Sequence, residues 1–513
     1  MTTSYDVIII GTGAGGGTLA HALAPTGKRI LLLERGDYLP KEKANWDPGA
    51  VFPDERYKTT ELWHDAAGHA FRPEMNYYVG GNTKVYGAAV LRMRERDFGE
   101  VRHQAGISPA WPLAYRDFEP YYTAAEHLYM AHGQHGQDPL DPPASREYPF
   151  PPLQNEPRIQ EIADDLRVAG LHPFPLPMAI NRSDQLPRSH PCIRCDTCDG
   201  FPCLVDAKCD AQVVCVDQAL AHPNVTLLVN ARATRLVTNP AGTEVVQVEA
   251  QVAGHPETFS AGIVVVACGA INSAALLLRS ANERHPRGLA NASDQVGRTL
   301  MLHNNSAMLA VSVTRSNPTV FQKTLGLNDF YFHDPDGEYP LGHIQLMGKS
   351  KPDMLRREAP FFTPHGALTY LTTHAVDWWL ATEDLPLPEN RGTVDRQGQI
   401  VLRYTPNNVE PHRRLIRRLE QILRQTGHAH TLLPHKAYFN KRMPLAAVCH
   451  QTGTCRFGPD PKTSVLDLTC RTHDVANLYV VDGSFFPSIS SMNPSLTIIA
   501  NALRVADHLR ERL

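Results

Sequence analysis

The sequence predicts a mixed α/β protein that begins with a nucleotide-binding unit. A β-branched run, Val7 to Ile10, leads directly into the turn Gly11-Thr-Gly-Ala-Gly-Gly16, which has the spacing G-x-G-x-x-G. A second strand is expected over Arg29 to Leu33, and Glu34 follows it. Strand, glycine turn, helix, strand and acid in this order are typical of a Rossmann-type dinucleotide-binding domain.

Each residue type in this unit has a physical role. Gly11 permits the tight turn, Gly13 lets the backbone approach a pyrophosphate, and Gly16 lets the helix pack on the strand. The pyrophosphate would lie on the free N–H groups at the helix N-terminus. Glu34 is placed to accept hydrogen bonds from a ribose hydroxyl. The motif alone does not separate FAD from NAD.

Composition limits the remaining possibilities. The chain has 513 residues, 42% hydrophobic and 20% charged, which predicts a folded protein of about two or three domains. The 50 basic and 53 acidic residues give a formal charge of −3, which argues against a nucleic-acid-binding surface. No apolar run approaches the ~20 residues of a membrane helix. No secretory signal pattern is present, so we expect a cytoplasmic protein without a membrane span.

Hydrophobic periodicity predicts further elements downstream. Apolar and alternating runs predict strands, and an apolar stripe at helical spacing predicts a helix over Arg413 to Thr426. Asp395-Arg-Gln-Gly398 is typical of a hairpin turn. The predicted strands are 226–229, 235–237, 244–250, 309–313 and 341–347.

Motifs spread along the chain resemble those of the glucose–methanol–choline (GMC) oxidoreductases. Val79-Gly-Gly-Asn-Thr-Lys-Val-Tyr-Gly87 resembles the second flavin loop of that family. Trp111 to Tyr122 is similar to its "WPxSYxDLEPYY" stretch, and Val264 to Leu278 to its second signature. Cys449 to Gly458 and Leu478 to Thr497 resemble its last two segments. The matches keep the family's order from residue 5 to residue 510.

The resemblance implies a Rossmann-type FAD-binding domain that is interleaved with a substrate domain built on an antiparallel sheet with helices behind it. We expect FAD-binding segments at 1–150, 191–308 and 441–513, and the substrate-binding domain at 309–440. The proline-rich stretch 151–190 is predicted to be an arm or a lid on the substrate side, although a surface arm or an oligomer contact is an equal alternative.

The resemblance also implies the cofactor and its site. Val85 occupies the position at which some family members attach FAD through a histidine, so we expect non-covalent FAD. The residues expected to bind it are Gly11, Gly13, Gly16, Glu34, Arg35, Gly81, Asn82, Thr83, Ala233, Ala267, Gly269, Asp482, Gly483, Asn493 and Pro494.

The resemblance assigns the reacting pair to His450 and Asn493. Oxidation of an alcohol to a carbonyl needs a base for the hydroxyl proton while hydride passes to flavin N5. His450 is expected to be that base, and Asn493 is expected to fix the substrate oxygen, since an amide does not titrate near neutral pH. This pairing is similar to the His/Asn branch of pyranose oxidase and cholesterol oxidase. A flavoprotein that retains the fold without the chemistry is a further alternative.

Six of the ten cysteines fall between residues 192 and 215, and the first four have the spacing C-x2-C-x2-C-x4-C. Cys192, Cys195, Cys198 and Cys203 are therefore candidate ligands of an iron–sulfur cluster or a metal ion. Reduced cysteines or disulfides that brace a loop are the alternative. A cluster would make the protein a flavin dehydrogenase subunit that passes electrons to a partner protein.

The substrate is expected to be a small alcohol or carbohydrate, and a sugar or glycoside hydroxyl is favoured. Polar and aromatic residues of the predicted substrate domain are typical of a sugar site, although aromatic pairs are also common in cores. Oxygen, a quinone or a redox protein would accept the electrons. The candidate substrate-facing residues are His343, Gln345, His374, Trp378 and Trp379.

Overall fold

The computed structural model describes residues 4–183, 191–356, 359–434, 445–447 and 449–513. Residues 184–190, the end of the predicted arm or lid, lie outside the described residues. So do 435–440, the end of the predicted substrate-binding domain, and 441–444, the start of the last predicted FAD-binding segment.

The strands and helices of the described residues are numbered in chain order. The strands are β1 Ser4–Ile10, β2 Ile30–Leu33, β3 Trp63–Asp65, β4 Ala70–Phe71, β5 Val101–His103, β6 Gly106–Ser108, β7 Ala131–His132, β8 Phe174–Pro175, β9 Met178–Ala179, β10 Val225–Leu228, β11 Ala231–Thr238, β12 Val245–Val252, β13 His255–Val266, β14 Asn304–Val311, β15 Leu325–Leu327, β16 His343–Leu346, β17 Ala375–Thr382, β18 Arg391–Val394, β19 Ile400–Arg403, β20 Thr431–Pro434 and β21 Leu478–Val480. The helices are α1 Ala14–Leu23, α2 Pro48–Val51, α3 Tyr115–Leu128, α4 Pro157–Val168, α5 Asp217–Ala219, α6 Ala270–Arg279, α7 Pro352–Arg356, α8 His365–His374, α9 Val409–Gln425 and α10 Ser495–Arg512.

A parallel sheet forms the nucleotide-binding domain, as the sequence predicts. Its parallel strands lie in the order β10-β2-β1-β13-β21. Ile8 of β1 pairs with Leu31 on one side and with Val264 on the other. The strands are apolar on both faces because helices such as α1 and α10 cover the sheet, which is the usual arrangement of parallel sheets.

β13 belongs to two sheet patterns at once. Its first half pairs antiparallel with β12, and β12 pairs antiparallel with β11. Its second half pairs parallel with β1 and β21. One long strand therefore carries the chain from a meander into the centre of the nucleotide-binding sheet. The predictions of strands at 226–229, 235–237 and 244–250 are confirmed within one or a few residues.

The second domain is a six-stranded antiparallel sheet in the order β20-β14-β17-β16-β15-β8. α9 packs its apolar stripe, which includes Leu415, Leu419 and Leu423, against the back of this sheet. The helix begins at Val409, four residues before the predicted start. Pro411 is compatible with this earlier start because it lies in the first turn, where the N–H that proline lacks would make no hydrogen bond within the helix. β14 begins five residues before the predicted strand, since polar residues from Asn304 concealed its start.

The remaining predictions of local structure have mixed outcomes. The hairpin through Asp395 to Gly398 is confirmed by antiparallel β18 and β19. The segment predicted as an arm or lid contains α4, whose Ile159, Ile162 and Leu166 lie in the core of the six-stranded sheet. In the part of the chain that is described, no helix has both the length and the apolar character needed to cross a bilayer.

A buried ion pair fixes α3 to the segment after the second glycine loop. Nε and Nη2 of Arg92 donate to the two carboxylate oxygens of Glu126 at 2.7 and 2.6 Å, and both side chains are about 1% exposed. Arg92 also donates to the hydroxyl of Tyr115 at 2.9 Å. Removing one member of such a pair leaves a buried charge without its partner.

We expect Glu126→Gln to lower the free energy of unfolding by ~3 kcal/mol, because the guanidinium loses its buried counter-charge. Glu410→Gln is the matched control, since Glu410 pairs with Arg417 at the surface. That control should change the free energy by less than ~1 kcal/mol. Urea unfolding measures both values, and equal effects of the two substitutions would contradict the assignment.

Candidate active site

The glycine turn after β1 is a place where backbone segments touch. Gly11 has a φ of +103°, and a Cβ there would lie 2.3 Å from the carbonyl oxygen of Ala267. A Cβ on Gly15 would lie 1.9 Å from the carbonyl oxygen of Val481. A Cβ on Gly16 would lie 2.0 Å from the carbonyl oxygen of Gly11. Side chains at these positions are therefore excluded by the fold itself.

Gly13 differs from these glycines because no described atom lies within 4 Å of the Cβ it lacks. It stands at the N-cap of α1, and its own side of the turn faces a cavity of about 790 Å³. No described side chain caps the helix, so its first N–H groups are free to meet a ligand. The space that a side chain would fill is thus kept open at the position where a pyrophosphate is expected.

Glu34 lies at the end of β2 and lines the cavity. Oε2 accepts from the Thr12 hydroxyl at 2.6 Å and from the Thr12 amide at 3.2 Å, and Oε1 accepts from the Gly36 amide at 3.0 Å. Burial raises the pKa of Glu34 although these donors and Arg35 oppose the shift. Arg35 stacks on Tyr77, with its guanidinium carbon 3.7 Å from the ring centroid, and also faces the cavity.

Asp482 joins two distant segments beside the turn. Oδ2 accepts from the Gly269 amide at 2.9 Å and from the Ser273 hydroxyl at 2.5 Å. Oδ1 accepts from the amide and the hydroxyl of Ser484 at 2.8 and 2.5 Å. Burial raises the pKa of Asp482 despite these donors. This carboxyl group therefore holds the end of β13 against the segment that follows β21.

The structure gathers nearly all of the predicted cofactor-binding residues around this one cavity. Gly16 is the exception, because it is buried against Gly11 and contacts the fold rather than the cavity. Val85 of the second flavin loop also faces the cavity. The predicted residues that line it are Gly11, Gly13, Glu34, Arg35, Gly81, Asn82, Thr83, Ala233, Ala267, Gly269, Asp482, Gly483, Asn493 and Pro494.

The six-stranded sheet supplies another wall of the cavity. Asn305 on β14, Gln345 on β16 and Trp379 on β17 line it. Three predicted substrate-facing residues lie elsewhere. Trp378 is fully buried in the core behind the sheet, since alternate residues of a strand point to opposite faces. His374 stacks on Tyr370 at the end of α8 and does not line the cavity. His343 is on the same face of β16 as Gln345 but does not line the cavity, and its Nε2 lies 3.0 Å from the Gln345 side-chain amide.

His450 lines the cavity beside Trp379, and the two rings are 5.5 Å apart at an angle of 79°. Its Nδ1 lies 3.1 Å from Nδ1 of His303. Nε2 of His303 lies 2.9 Å from the carbonyl oxygen of Ser490, which can only accept. A neutral His303 thus donates from Nε2, and its bare Nδ1 accepts from Nδ1–H of His450. This chain of hydrogen bonds from Ser490 through His303 to His450 leaves Nε2 of His450 without a proton.

The backbone around this chain is held in an unusual conformation. His303 has a φ of +59° and Ser490 a φ of +58°, a region that non-glycine residues rarely adopt. The Ser490 amide donates to Oε1 of Glu383 at 3.1 Å. Oε2 of Glu383 lies 3.0 Å from Nε2 of His103. Buried strain of this kind persists where surrounding contacts fix the geometry, and it is concentrated at functional sites.

Burial keeps both histidines of the chain neutral. It lowers the pKa of His303 to about 4, although Glu383 opposes the shift. Burial also lowers the pKa of His450 well below its ordinary value, and His303 and Lys323 lower it further, whereas Asp199 raises it. His450 therefore stays in its basic form across the neutral pH range.

Asn493 lines the cavity on the segment that leads into α10. Its Oδ1 is buried and has no hydrogen-bond partner among the described residues. An orphaned amide oxygen next to a cavity indicates that a bound group completes the site, because an unpaired buried acceptor costs about 1–3 kcal/mol.

A charged pair closes the substrate side. Nζ of Lys323 donates to Oδ2 of Asp199 at 2.8 Å. Burial tends to raise the pKa of Asp199, but the Lys323 ammonium and the Gly348 amide lower it. A Cβ on Gly87 would lie 1.9 Å from Nζ of Lys323, so this glycine leaves the room that the pair occupies.

The cysteine-rich loop forms part of this wall, since Asp196, Asp199 and Gly200 line the cavity. Nζ of Lys208 donates to the carbonyl oxygens of Cys198 and Phe201, both at 2.7 Å, and holds the loop from inside.

The metal prediction for Cys192, Cys195, Cys198 and Cys203 finds no support. Within the described ranges, no group of three or more histidine, cysteine or acidic side chains is placed to hold a metal ion. Burial raises the pKa of the Cys198 thiol to about 12, so the thiol is neutral near pH 7 in the metal-free loop.

Sequence reasoning missed several cavity residues and the partner of His450. His303 is one of 24 histidines and has no motif around it. Asn305 lies in the first residues of β14, and because these residues are polar, the hydrophobic pattern did not predict a strand there. Asp199 lies among the spaced cysteines, which were interpreted as candidate ligands, and no separate role was predicted for this aspartate. Lys323 lies in a stretch without regular structure. Only the pairing of distant segments reveals these residues.

Comparison with known proteins gives a consistent result. Two family models described as GMC oxidoreductase match residues 5–305 and 388–502. The chain is 33% identical to 6'''-hydroxyparomomycin C oxidase of Streptomyces lividus, over 98% of this chain and 92% of that protein. It is 32% identical to paromamine 6'-oxidase of Streptomyces fradiae, over 98% of this chain and 90% of that protein.

Solved structures show the same fold. Pyridoxine 4-oxidase from Mesorbium loti superposes with a TM-score of 0.68 at 19% identity, over 99% of each chain. A formate oxidase from Aspergillus oryzae RIB40 gives a TM-score of 0.69 at 16% identity, over 99% of this chain and 98% of that one. At these identities the likeness concerns the fold alone.

We expect Gly13→Val to fold normally and to lose the dinucleotide, because the new side chain fills the open space at the N-terminus of α1. Gly366→Val is the matched control, since Gly366 also has open space around it but lies away from the cavity. The flavin-to-protein absorbance ratio and the thermal unfolding of the purified proteins measure both effects. A normal flavin content in Gly13→Val would contradict the expectation.

Proposed function

The chain belongs to the GMC oxidoreductase family, and from this premise we propose that it uses FAD to oxidise a hydroxyl group of a sugar or glycoside to a carbonyl, with His450 as the base. The observation that carries the proposal is the hydrogen-bond chain from Ser490 through His303 to His450. It holds a neutral histidine at the cavity wall with one ring nitrogen free to take a proton.

The residues around the glycine turn fit FAD. The open space before Gly13 suits a pyrophosphate, and the carboxylate of Glu34 suits a ribose hydroxyl. Asn493 lines the same cavity, and its orphaned Oδ1 could accept a hydrogen bond from the bound cofactor. When bound, FAD supplies the acceptor for the hydride that leaves the alcohol carbon. Non-covalent binding is part of the proposal, because the valine side chain at position 85 has no atom that could bond to a flavin.

His450 would take the hydroxyl proton at Nε2. Because Nδ1–H is held by His303, the imidazolium that forms keeps a hydrogen-bond acceptor and does not turn away. Asn493 would donate from its amide nitrogen to the substrate oxygen and so fix the alcohol against His450. This His/Asn pairing supports a place in the pyranose oxidase and cholesterol oxidase branch of the family.

The wall formed by the six-stranded sheet supports a sugar or glycoside substrate. Trp379 offers an aromatic surface, and the amides of Asn305 and Gln345 offer hydrogen bonds, which is the combination that pyranose rings use. The two Streptomyces relatives, a 6'''-hydroxyparomomycin C oxidase and a paromamine 6'-oxidase, support the same substrate class. We do not extend the proposal to an iron–sulfur cluster, since the described cysteine-rich loop does not fit one.

We expect His450→Ala to retain FAD and to lose flavin reduction by substrate by at least about 100-fold, as removal of a general base does. Anaerobic stopped-flow absorbance with a panel of sugars, glycosides and alcohols measures the rate. Cys449→Ser is the matched control, because Cys449 is the adjacent cavity residue and has no assigned role. Near-normal reduction in His450→Ala would refute the role of this histidine.

The rate of flavin reduction should be level through neutral pH and should fall only well below pH 6.5. A base with a lowered pKa remains unprotonated as the pH decreases, and it loses its activity only when the pH falls through that lowered value. Stopped-flow rates at saturating substrate, measured between about pH 5 and 8, test this. An acid limb centred near 6.5 would show that His450 is not held in the buried state described above.

A further inference from the structure

A line of buried polar side chains ends at Gln345, which lines the cavity. Nε2 of His343 lies 3.0 Å from the Gln345 side-chain amide, at the atom placed as Oε1. Nδ1 of His343 lies 2.7 Å from Oδ1 of Asn328. Nδ2 of Asn328 donates to Oδ2 of Asp138 at 2.5 Å, and Arg94 donates to the same oxygen at 2.6 Å. All five side chains are buried.

This arrangement places an oxygen atom against each ring nitrogen of His343. Burial lowers the pKa of His343 to about 3, and Arg94 lowers it further while Gln345 opposes the shift, so the ring is neutral. A neutral imidazole has one N–H and one bare nitrogen. It can donate to one of the two oxygens only, and its bare nitrogen must face a donor. One of the two neighbouring amides is therefore turned with its nitrogen towards the ring.

Asn328 cannot be the amide that turns. Its nitrogen faces a carboxylate, and a half-turn would place Oδ1 of Asn328 against Oδ2 of Asp138. Asp138 forms an ion pair with Arg94 at 2.6 Å and also accepts from the Leu140 amide at 3.0 Å. Two facing acceptors in a buried site are unfavourable. Oδ1 of Asn328 therefore stays towards His343, whose Nδ1 carries the proton, and Nε2 of His343 is bare.

We propose that Gln345 turns its amide nitrogen to His343 and its carbonyl oxygen to the cavity, and so selects substrates that present a hydrogen-bond donor at this point. A half-turn about the last side-chain bond exchanges the two ends without moving other atoms. Gln345 is then a specificity-determining residue, and His343 and Asn328 are positioning residues. The inference rests on the proposed function, because it concerns the substrate of the same cavity.

The substrate class follows from this polarity. A hydroxyl or an ammonium group donates to the Gln345 oxygen, whereas a fluorine, an ether oxygen or a carboxylate leaves two acceptors facing each other. A site built to pair with a donor rejects an analogue that lacks it, because its own buried acceptor is left unpaired. The pocket therefore favours neutral sugars and amino sugars over acidic or O-alkylated ones at the contacted position.

Neutron diffraction of deuterated holoenzyme tests the polarity directly. We expect deuterium on Nδ1 of His343 and none on its Nε2. The deuterated amide nitrogen of Gln345 should face the ring. Deuterium on Nε2 pointing at a Gln345 oxygen would overturn the proposal. This measurement needs no substrate, so its result stands whether or not the proposed sugar oxidation is correct.

Kinetics test the consequence. The probes are methyl glucoside and analogues in which one ring hydroxyl at a time is replaced by fluorine or by an amino group. At one position, fluorine should lower kcat/KM by about 10- to 100-fold, and the amino group should not. Gln345→Met should lose this discrimination, because kcat/KM for the parent sugar falls to the level of the fluoro analogue.

Two further variants separate positioning from simple damage. His343→Phe frees the Gln345 amide to take either orientation, so the fluorine penalty should shrink several-fold. His412→Phe is the matched control, because His412 is equally buried, lies on α9 against the same sheet, and contacts Ser306 and Thr382 instead of Gln345 or Asn328. An unchanged penalty in both Gln345→Met and His343→Phe would overturn the proposal. Failure of every glycoside to reduce the flavin would instead refute the proposed function. The neutron result would still decide the orientation of the Gln345 amide.

Discussion

The structure depends on three backbone segments that meet where no side chain fits. The turn at Gly11 to Gly16 touches the end of β13 at Ala267 and the segment after β21 at Val481, at distances that would place a Cβ inside a carbonyl group. These segments are more than 200 residues apart along the chain, and Asp482 fastens two of them through Gly269 and Ser484. The same contact shapes the cavity that we propose to bind FAD and closes the fold, so a substitution at Gly11 would disturb both.

The side chains that we propose to react are connected to that contact. The Gly453 amide donates to the carbonyl oxygen of Gly483 at 3.0 Å, which ties the His450 segment to the end of β21. The six-stranded sheet then approaches from the opposite side and supplies His303 at the start of β14. Buried polar groups fix the hydrogen-bond direction at two places in the site. Ser490 fixes the tautomer of His303 and thereby that of His450, and Asp138 fixes the amide of Asn328 and thereby that of Gln345. Two buried neutral histidines, His303 and His343, thus carry hydrogen-bond direction to the cavity without carrying charge.

Local sequence signals predicted the parts of the protein that depend on local physics. The β-branched run before Gly11, the stripe of α9 and the turn at Asp395 each follow from residue spacing, and the family resemblance assembled them in the right order. The missed parts depend on contacts between distant segments. His303 adopts a positive φ that only its partners stabilise, and Trp378 and Trp379 are separated by strand register rather than by residue type. The cysteine spacing indicated a metal, whereas the described loop is held from inside by the Lys208 ammonium.

The central claim is that His450 is kept neutral with its proton on Nδ1, so that Nε2 is free to accept the proton of an alcohol. Nitrogen-15 NMR of the holoenzyme labelled at histidine, with the His450 signals assigned by comparison with His450→Gln, measures both ring nitrogens at neutral pH. The account predicts a protonated Nδ1 and a bare Nε2. A proton on Nε2, or on both nitrogens, would contradict it.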